Sequence, residues 1–412
     1  MKPPAGGFFA VEMTWTRFCA AHVAGDSRPF GRRGDRTRWG NRIAGAGVDA
    51  HATAGQESGA TSLQAAARLR NQSRFIPKSR SCGSRLTAAG YSYGEMSKVR
   101  WVLAGIGDIA RRRVIAAIQA EKRSVLYGFV TRDRAKAEAY TGTRVWATVE
   151  EAVADPAVDA VYIALPVAMH AGAAIAALRV GKHVLCEKPM ALNYAQAERM
   201  VAESRASGQL LGVSYYRRLY PKLIRARQLI AEGAIGAPLL ADANCHGWLE
   251  TQGRDWLRDP ALAGGGPLFD TASHRIDAMN FLFGKVERAC GMRSNAVHRM
   301  GVEDSATVVM KFPGGVHGVV DVRWNSRVAR DQFRIIGVDG EIGLDPLNGP
   351  KLRVAGRVEE LPPHENLHYP AVENFVDAVL AGNAALLACP AEQGAWTDWA
   401  IEQVARSQEA KA

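Results

Sequence analysis

A glycine-rich turn between a buried strand and a helix is the feature that most constrains the fold of this 412-residue chain. The segment Val99 to Gly105 is a run of mostly apolar and β-branched residues, and Gly105-Ile-Gly-Asp-Ile-Ala110 follows it at once. The glycines at 105 and 107 permit a tight turn, and the small side chain of Ala110 lets the next helix pack closely on the strand. The pattern predicts the first βα unit of a doubly wound α/β domain.

The amino terminus of that helix is the expected binding site of a dinucleotide. Its free backbone amides and partial positive charge attract pyrophosphate, and the glycines allow the phosphates to approach the backbone. We therefore expect cofactor contacts from Gly105, Gly107, Asp108, Ile109 and Ala110.

The end of the second strand is where an adenosine ribose would be recognised. This strand, Ser124 to Val130, ends at Thr131-Arg132-Asp133, about twenty residues after the glycine turn. A hydroxyl and a guanidinium, from Thr131 and Arg132, suit a 2′-phosphate and favour NADP. NAD stays possible, because Asp133 could accept from a ribose hydroxyl if the strand ends later.

The segment Glu187-Lys188-Pro189 follows another strand, His183 to Cys186. Proline cannot donate a ladder hydrogen bond, so the strand should end there. A lysine at this position projects into the crevice where open α/β sheets bind ligands, and a partly desolvated lysine can polarise an oxygen atom. We expect Glu187 and Lys188 to contact the cofactor; the alternative is an ordinary Glu-Lys pair at a surface turn.

Further βα units complete the predicted parallel sheet: a strand at Val158 to Leu165, helices at Ala168 to Val180 and at Tyr194 to Ala206, and a closing strand at Leu210 to Tyr215. Leu165, Pro166 and His170 come just after the end of a strand, so we expect them on the ligand side of the sheet. A histidine in such a place can equally be a packing residue at the start of a helix.

From residue 218 onward the pattern changes to longer strands. Ala306 to Phe312 and His317 to Trp324 flank the turn Pro313-Gly-Gly315, which predicts a hairpin. The expected fold is therefore α/β overall, with a Rossmann dinucleotide-binding domain at 96–217 and an α+β domain with a large, mostly antiparallel open sheet at 218–412. Helices at Ala371 to Gly382 and at Cys389 to about Ser407 are expected to finish the second domain.

Asp270, His274 and Asp277 have helical spacing, at i, i+4 and i+7, which places them on one face. The glycines 264–266 just before this helix would let the backbone pass close to a cofactor or substrate. Histidine suits proton transfer near neutral pH, and a carboxylate can orient it or bind a hydroxyl. The alternative is an amphipathic helix with solvated charges.

These segments resemble the family of glucose-fructose oxidoreductase, inositol dehydrogenase and the rhizopine-catabolism protein (Gfo/Idh/MocA). The matching motifs occur in the family's order: the glycine turn, Leu165-Pro-Val-Ala-Met-His170, Glu187-Lys-Pro189, Tyr216-Arg-Arg-x-x-Pro221 and Gly264-Gly-Gly-Pro-Leu-Phe-Asp-Thr-Ala-Ser-His274-Arg-Ile-Asp277. The resemblance begins at Met96 and covers about three quarters of the chain. Leu165, Val167 and Ala272 depart from the family pattern, and the first two affect expectations of specificity more than of chemistry.

The resemblance implies hydride transfer between a nicotinamide and a secondary alcohol or ketone of a sugar, polyol or related small molecule. Lys188, Asp270 and His274 are then the expected catalytic residues; Tyr216, Trp256, Arg258, Asp270 and His274 are expected to bind substrate, and Trp248 is a further candidate for the pocket wall. A homodimer or homotetramer formed through the second sheet is also implied. Two other members of the fold remain as alternatives, a nucleotide-sensing regulator without turnover and an NAD-dependent glycosidase.

The formal charge of +11 suggests an anionic partner only until its distribution is considered. Residues 1–95 hold 14 Lys and Arg against 6 Asp and Glu, which leaves a net charge of +3 for the remainder. We therefore expect no nucleic-acid partner. Six cysteines without Cys-x-x-Cys spacing and the lack of a long apolar run favour a cytoplasmic protein that binds no membrane.

Residues 1–95 are rich in Gly, Ala, Ser and Arg and have no sustained helical or strand period. We expect either a disordered arm or a wrongly assigned extension, with Met96 as the preferred natural start. Arg32-Arg33 is not followed by the apolar segment of a twin-arginine signal, whereas an Arg-rich transit peptide stays possible.

His364-Glu-Asn-Leu-His368 matches a zinc-protease motif, but prolines at 362, 363 and 370 leave too little room for the helix that this motif requires. We expect no metal site there.

Overall fold

The computed structural model describes residues 98–250 and 254–409. The predicted arm at 1–95, and the choice of Met96 as the start, therefore lie outside the described residues. Within them the chain forms two sheets, of six and eight strands. This arrangement confirms the expected fold class, a Rossmann-type parallel sheet followed by a second, mostly antiparallel one.

The first sheet is built from six parallel strands in the order β3-β2-β1-β4-β5-β6. The strands are β1 Val99–Ala104, β2 Ser124–Val130, β3 Arg144–Trp146, β4 Ala160–Ile163, β5 His183–Cys186 and β6 Leu211–Val213. The helices that connect them are α1 Ile115–Ala120, α2 Val149–Val153, α3 His170–Arg179 and α4 Tyr194–Ser207, and a π-helical turn, Ala110–Val114, leads into α1. The short β3 was not predicted from the sequence.

The strand order reverses between β1 and β4, because β2 lies on one side of β1 and the rest of the sheet on the other. Open α/β sheets bind their ligands in the crevice outside the carboxyl ends of the strands at such a reversal. The topology therefore puts the end of β1, with its glycine turn, beside the ends of β4 and β5.

The second sheet follows the order β14-β13-β12-β11-β7-β10-β9-β8. Its strands are β7 Pro238–Trp248, β8 Arg288–Ser294, β9 Ser305–Lys311, β10 His317–Arg323, β11 Asn325–Gly337, β12 Glu341–Gly343, β13 Lys351–Val354 and β14 Arg357–Glu360. Only the β7–β10 pair is parallel, and β9 and β10 form the predicted hairpin.

One face of this sheet is covered by helices. The helices of the second half are α5 Pro221–Ala231, α6 Pro260–Ala263, α7 Ser273–Phe283, α8 Tyr369–Leu380 and α9 Ala391–Glu409. Along β9, Val308 and Met310 are buried against the core that contains α7, while Val309 between them is 46% exposed on the opposite face. The alternation is that of a sheet with one packed and one open face.

The helix α8 departs from the predicted domain division. It was expected to finish the second domain, yet Val372, Phe375 and Val379 pack in one cluster with Val99 and Trp101 of the first sheet. The rings of Phe375 and Trp101 lie 5.3 Å apart. A parallel sheet needs both of its faces covered, so the chain returns to cover part of a face that its own crossover helices leave open.

Candidate active site

The glycine turn after β1 fits a dinucleotide. Gly105 has a φ of +96°, and a Cβ atom there would lie 2.6 Å from the backbone oxygen of Ala164, just after β4. A Cβ at Gly107 would meet nothing within 4 Å. The turn is thus tight against β4 and open at Gly107, which is what close approach of a pyrophosphate requires.

The residues that follow the glycines have distinct environments. Ala110 is fully buried in the core beneath the sheet, which agrees with the close helix packing expected of a small residue. Asp108 accepts an ion-pair hydrogen bond from Arg112 at 2.8 Å, and Ile109 is half-buried. Asp108 and Ile109 therefore border the crevice, whereas Ala110 supports it from inside.

At the end of β2 the side chains that could recognise a ribose are accessible. The Thr131 hydroxyl both donates to the backbone oxygen of Asp133 and accepts from its amide, which fixes the turn. Arg132 is exposed, and the Asp133 carboxylate lies 3.5 Å from the ammonium of Lys136. Arg132 and Asp133 lie in the same exposed turn, where both side chains are accessible to a ribose.

Lys188 of the first domain forms a hydrogen bond with Asp270 of the second domain. The Lys188 ammonium donates to the Asp270 carboxylate at 2.7 Å and to the backbone oxygen of Asp270 at 3.1 Å. Lys188 follows β5 of the parallel sheet, and Asp270 lies in a π-helical turn, Leu268–Ala272, directly before α7. Burial favours the neutral form of Asp270, but the charges of Lys188, Arg254 and Arg217 lower its pKa below the usual value.

This contact changes the role expected for Asp270. The sequence favoured Asp270 as the residue that orients His274 or binds a substrate hydroxyl. In the structure, its carboxylate instead accepts a hydrogen bond from the Lys188 ammonium. Asp270 therefore orients the lysine and supplies its counter-charge. The Asp270 side chain is still 38% exposed, so it also remains accessible to a ligand.

His274 lies in the first turn of α7, next to this pair. The edge of its ring contacts Tyr216 at 5.2 Å and Tyr215 at 6.0 Å between ring centroids, and its Nδ1 is buried with no hydrogen-bond partner among the described residues. Burial, followed by the positive charges of Arg217, Lys188, Arg275 and His368, lowers the pKa of His274 well below its usual value. His274 is therefore a neutral imidazole at neutral pH.

Gly266, in the glycine run before α7, is required by a contact with Glu303, whereas the sequence had suggested that the run allows close approach to a cofactor or substrate. A Cβ atom at Gly266 would lie 2.0 Å from the backbone oxygen of Glu303. The buried Glu303 carboxylate accepts from the amides of Gly266 at 2.9 Å and Leu268 at 3.1 Å. The glycines thus permit contact with Glu303, which satisfies the first amides of the helix and holds Asp270 and His274 in place.

Asp277 does not share the environment of Asp270 and His274. It accepts a bidentate hydrogen bond from Arg218, at 2.7 to 3.1 Å, and both side chains are 1% exposed. The three residues follow one another along the π-helical turn and α7, but Asp277 is buried and forms an ion pair with Arg218 of the segment after β6.

Glu187 was expected to contact the cofactor, and its contacts point elsewhere. Its Oε1 accepts from the Tyr162 hydroxyl at 2.6 Å and from Nε2 of His368 at 3.1 Å, and its Oε2 accepts from the Lys188 amide at 3.3 Å. Both carboxylate oxygens are engaged by protein donors, and Tyr162 also contacts the Ser214 hydroxyl at 3.0 Å. Glu187 therefore holds the loop that carries Lys188 in place through its contacts with Tyr162, His368 and the Lys188 amide.

His170 is revised for the same reason. Its Nδ1 lies 3.0 Å from the backbone oxygen of Pro189, and its Nε2 lies 2.8 Å from that of Leu165. The ring is 1% exposed, and burial lowers its pKa. His170 therefore joins the loop after β4 to the loop that carries Lys188, while Leu165 and Pro166 stay half-buried at the crevice.

Among the expected substrate contacts, Tyr216 is central. Its ring lies beside His274, His368 at 4.4 Å and the Arg217 guanidinium at 5.0 Å. The sequence analysis considered His368 only as part of a rejected zinc motif and did not relate it to this site, because its partner Glu187 is 181 residues away. Glu303 was missed for a similar reason.

Trp256 and Arg258 lie on the turn Asp255–Arg258, directly before α6, and Trp256 is 37% exposed. Because α6 packs against the turn Val167–Met169 that follows β4, this segment borders the crevice. Trp248, the further candidate, already contacts the His298 ring at 4.6 Å and the Arg327 guanidinium at 4.0 Å. Its ring is therefore less free to pack on a substrate.

The two histidines of the zinc-type motif lie in different environments. His364 is exposed and stacks on Tyr369 at 4.6 Å, whereas His368 is fully buried at Glu187. Across residues 98–250 and 254–409, no cluster of three or more His, Cys, Asp or Glu is suited to bind a metal ion. In the same part of the chain, no helix has the length and apolar character needed to cross a membrane.

The chain is similar to known oxidoreductases over both domains. Residues 99–215 match the model of an oxidoreductase family with an NAD-binding Rossmann fold, and residues 223–343 match the GFO/IDH/MocA C-terminal domain. The chain is 32% identical over 292 residues to 1,5-anhydro-D-fructose reductase from Ensifer adhaerens, covering 68% of this chain and 88% of that protein.

Two further comparisons agree. Trans-1,2-dihydrobenzene-1,2-diol dehydrogenase from Mus musculus is 29% identical over 64% of this chain and 80% of its own length. The crystal structure of aldose-aldose oxidoreductase from Caulobacter crescentus, at 24% identity, superposes with a TM-score of 0.68 over 76% of this chain and 98% of that one, which shows the same fold. With matched models in both domains and a relative aligned over most of its length, this chain belongs to the Gfo/Idh/MocA family of NAD-binding oxidoreductases.

Proposed function

We propose that this protein transfers a hydride reversibly between a nicotinamide cofactor and a secondary alcohol or ketone of a sugar, polyol or related small molecule. The observation that supports this most directly is the convergence of Lys188, Asp270 and His274 at the carboxyl edge of the parallel sheet. Lys188 and Asp270 share a 2.7 Å hydrogen bond, and a neutral His274 lies one helical turn away. The relatives are a reductase and a dehydrogenase of this kind, by name.

A nicotinamide bound at the crevice would supply or accept the hydride. Gly105, Gly107, Asp108 and Ile109 would hold the pyrophosphate side, and Leu165, Pro166 and Lys188 would border the nicotinamide side. His274 is neutral and so takes the proton from the substrate hydroxyl during oxidation. The Lys188 ammonium, held by Asp270, stabilises the negative charge that develops on the same oxygen.

NADP is the preferred cofactor in this proposal. The exposed guanidinium of Arg132, next to the Thr131 turn, suits a 2′-phosphate. Asp133 is engaged by Lys136 at 3.5 Å, which makes it less suited to accept from a ribose hydroxyl. NAD is expected to bind more weakly through the shared glycine turn.

The experiment is a screen of sugars, inositols and their keto forms for consumption of NADPH or reduction of NADP. Lys188→Met and His274→Asn should each lower kcat by at least about 10²-fold on the best substrate. Arg225→Gln serves as the control, because Arg225 pairs with Glu232 and Glu359 away from the site. Near-normal turnover in both site variants would contradict the proposed roles.

Net consumption of cofactor separates this function from its two alternatives. A nucleotide-sensing regulator would bind NADP without turnover, and a glycosidase of the same fold would return the cofactor to its original state after each cycle. Stoichiometric conversion of NADPH with product formation excludes both, whereas sugar cleavage without net change in the cofactor would favour the glycosidase.

We also propose a homodimer or homotetramer in the cytoplasm, formed through the open face of the second sheet. Val309 is 46% exposed and Met292 is 74% exposed on that face. Near its centre Asp321 accepts from His246 at 2.6 Å and from Thr307 at 2.6 Å, so the polar groups there are already paired. The molar mass from light scattering tests this, with Val309→Asp expected to give monomers. A monomeric wild type would contradict it.

A further inference from the structure

Three buried arginines surround the candidate site, and two of them have carboxylate partners. Arg218 forms a bidentate pair with Asp277, and Arg275 donates to Asp331 at 2.8 Å. Arg217 is 8% exposed, and its Nε donates at 3.1 Å to the neutral amide oxygen of Asn348. Its Nη1 is buried with no hydrogen-bond partner in the described part of the chain.

The carboxylates that interact electrostatically with Arg217 are already hydrogen-bonded to other cations. Asp331 pairs with Arg275 and accepts the amide of Asn348 at 3.4 Å, so Asn348 stands between Arg217 and that carboxylate. Asp270 is held by Lys188. Arg217 therefore has a hydrogen-bonded neighbour, and Asp331 acts on it only at longer range, but it forms no direct ion pair with a carboxylate among the described residues.

Arg217 lies at the site and not elsewhere in the core. Its guanidinium is 5.0 Å from the Tyr216 ring, and Tyr216 in turn contacts the edge of His274. The Tyr216 and Tyr220 rings are 6.1 Å apart, and the Tyr220 hydroxyl is likewise buried without a partner. The Arg217 Nη1 and the Tyr220 hydroxyl are thus two donors without an acceptor among the described residues. Both lie beside the Tyr216 ring, which contacts His274.

A buried cation without a counter-charge is destabilising, as is a buried donor without an acceptor. A group that carries negative charge and several acceptor oxygens would satisfy both features, and a guanidinium binds planar oxyanions particularly well. The charges around the crevice agree, because Lys188 is neutralised by Asp270 while Arg217 and Arg254 add positive charge near Asp270.

We propose that Arg217 binds an oxyanion of the substrate, so that the enzyme acts on acidic sugars or polyols, with a carboxylate or a phosphate, in preference to neutral ones. This inference rests on the proposed function, because it names the substrate class of that site. The Tyr220 hydroxyl is the second donor to the same oxyanion.

The test is ligand affinity measured by calorimetry on enzyme saturated with NADP, so that anions cannot occupy the site for the 2′-phosphate. The three ligands are glucose, glucuronate and glucose 6-phosphate, which share one scaffold. At least one of the anions should bind about 10-fold more tightly than glucose, and the two anionic arms distinguish a carboxylate from a phosphate. Glucose binding as tightly as both anions, or no binding of either anion, would overturn the inference.

Substitutions at Arg217 test whether this residue causes the preference for anions. Arg217→Gln should remove the preference for the anion, and Arg217→Lys should retain part of it, because the charge stays while the planar fork is lost. Arg225→Gln, which removes an equal charge from a surface ion pair, should leave the preference unchanged. A preference that survives in folded Arg217→Gln would overturn the assignment to Arg217, and the wild-type comparison stands even if that variant does not fold.

The outcome also separates this inference from the proposed function. An enzyme that converts neutral polyols with NADPH but shows no preference for anions would keep the function and lose the inference. An enzyme that binds glucuronate or glucose 6-phosphate through Arg217 but never consumes NADPH would keep the anion site and lose the function.

Discussion

Lys188 and Asp270 form a hydrogen-bonded ion pair that joins the two domains at the candidate active site. The ammonium lies 2.7 Å from Oδ1 and 3.1 Å from the backbone oxygen of Asp270, and its side chain is 13% exposed. Because one partner follows a strand of the parallel sheet and the other precedes a helix of the second domain, their contact fixes the position of the Lys188 ammonium between the two domains.

Replacing Asp270 by Asn should therefore impair the lysine without removing it. The amide keeps the size of the side chain but gives up the counter-charge, so Lys188 loses its preferred position. We expect kcat to fall by at least about 10-fold and to recover in Asp270→Glu to a measurable extent. Steady-state kinetics on the best substrate is the measurement, and unchanged kcat in Asp270→Asn would contradict the proposed positioning role.

The pH dependence of alcohol oxidation should reveal the environment of His274. Burial and four nearby positive groups lower its pKa well below the usual 6.5, so the proton-accepting form persists in mildly acidic solution. The rate of oxidation should remain constant on acidification until well below pH 6.5. Arg217→Gln removes one of those charges, which raises the pKa of His274 and moves the acid limb to higher pH. A wild-type acid limb at or above pH 6.5 would argue against this assignment.

Arg132 provides a test of cofactor choice. If its guanidinium binds the 2′-phosphate, Arg132→Gln should raise the KM for NADP by about 10-fold and change the KM for NAD little. Both constants are measured with one substrate at saturation, and Arg179→Gln is the control, because it removes an exposed arginine of the same domain that pairs with Glu203 away from the Thr131 turn. A wild type with a strong preference for NAD would end this part of the proposal.

The ionised Glu187 carboxylate should stabilise the fold at neutral pH and lose this effect in acid. Its burial opposes ionisation, but the hydrogen bond and charge of His368 and the Tyr162 hydroxyl lower its pKa to about 2, from the usual 4.5. The stabilisation is therefore present above pH 4.5 and is lost as the pH falls toward 2. Glu187→Gln should reduce the free energy of unfolding by roughly 3 kcal/mol at pH 7.

The pH dependence of that difference is the decisive measurement. Chemical unfolding of wild type and Glu187→Gln should give curves that converge as the pH is lowered toward 2. His368→Asn should also reduce the stability of the wild type, because it removes the Glu187 partner at 3.1 Å. A difference between the proteins that does not depend on pH would mean that shape, and not charge, is what Glu187 contributes.

The contribution of Asp398 to stability should change with pH in the opposite direction. Burial, with a smaller effect of Asp277, raises its pKa to about 8, and its Oδ2 has no hydrogen-bond partner among the described residues. A raised pKa in the folded state means that stability falls as the pH rises from about 4 to 8. Asp398→Asn keeps the acceptor for the Ala191 amide and should raise Tm by at least about 2 °C at pH 9. An equal or lower Tm at that pH would contradict the buried, protonated state.

The local sequence was sufficient to predict five of the six strands of the first sheet and to nominate Lys188, Asp270 and His274, which the structure brings close together. The glycine turn, the strand before Lys188 and the helical spacing of Asp270 and His274 are patterns within about ten residues, and their geometry follows from backbone rules that act at short range. The unpredicted strand β3, three residues long, and the helix α8, which covers the first sheet instead of the second, lay beyond such patterns.

The tertiary structure alone decided which groups share a contact. Lys188 and Asp270 are 82 residues apart, and Glu187 and His368 are 181 residues apart, so no spacing in the sequence could pair them. The same holds for Arg217: its neighbour Arg218 is paired with the Asp277 carboxylate, whereas Arg217 is paired with no carboxylate in the part of the chain that the structure describes. The sequence determined the kinds of residue and the strands that carry them, whereas burial and charge pairing, which set pKa values and free donors, depend on packing between distant segments.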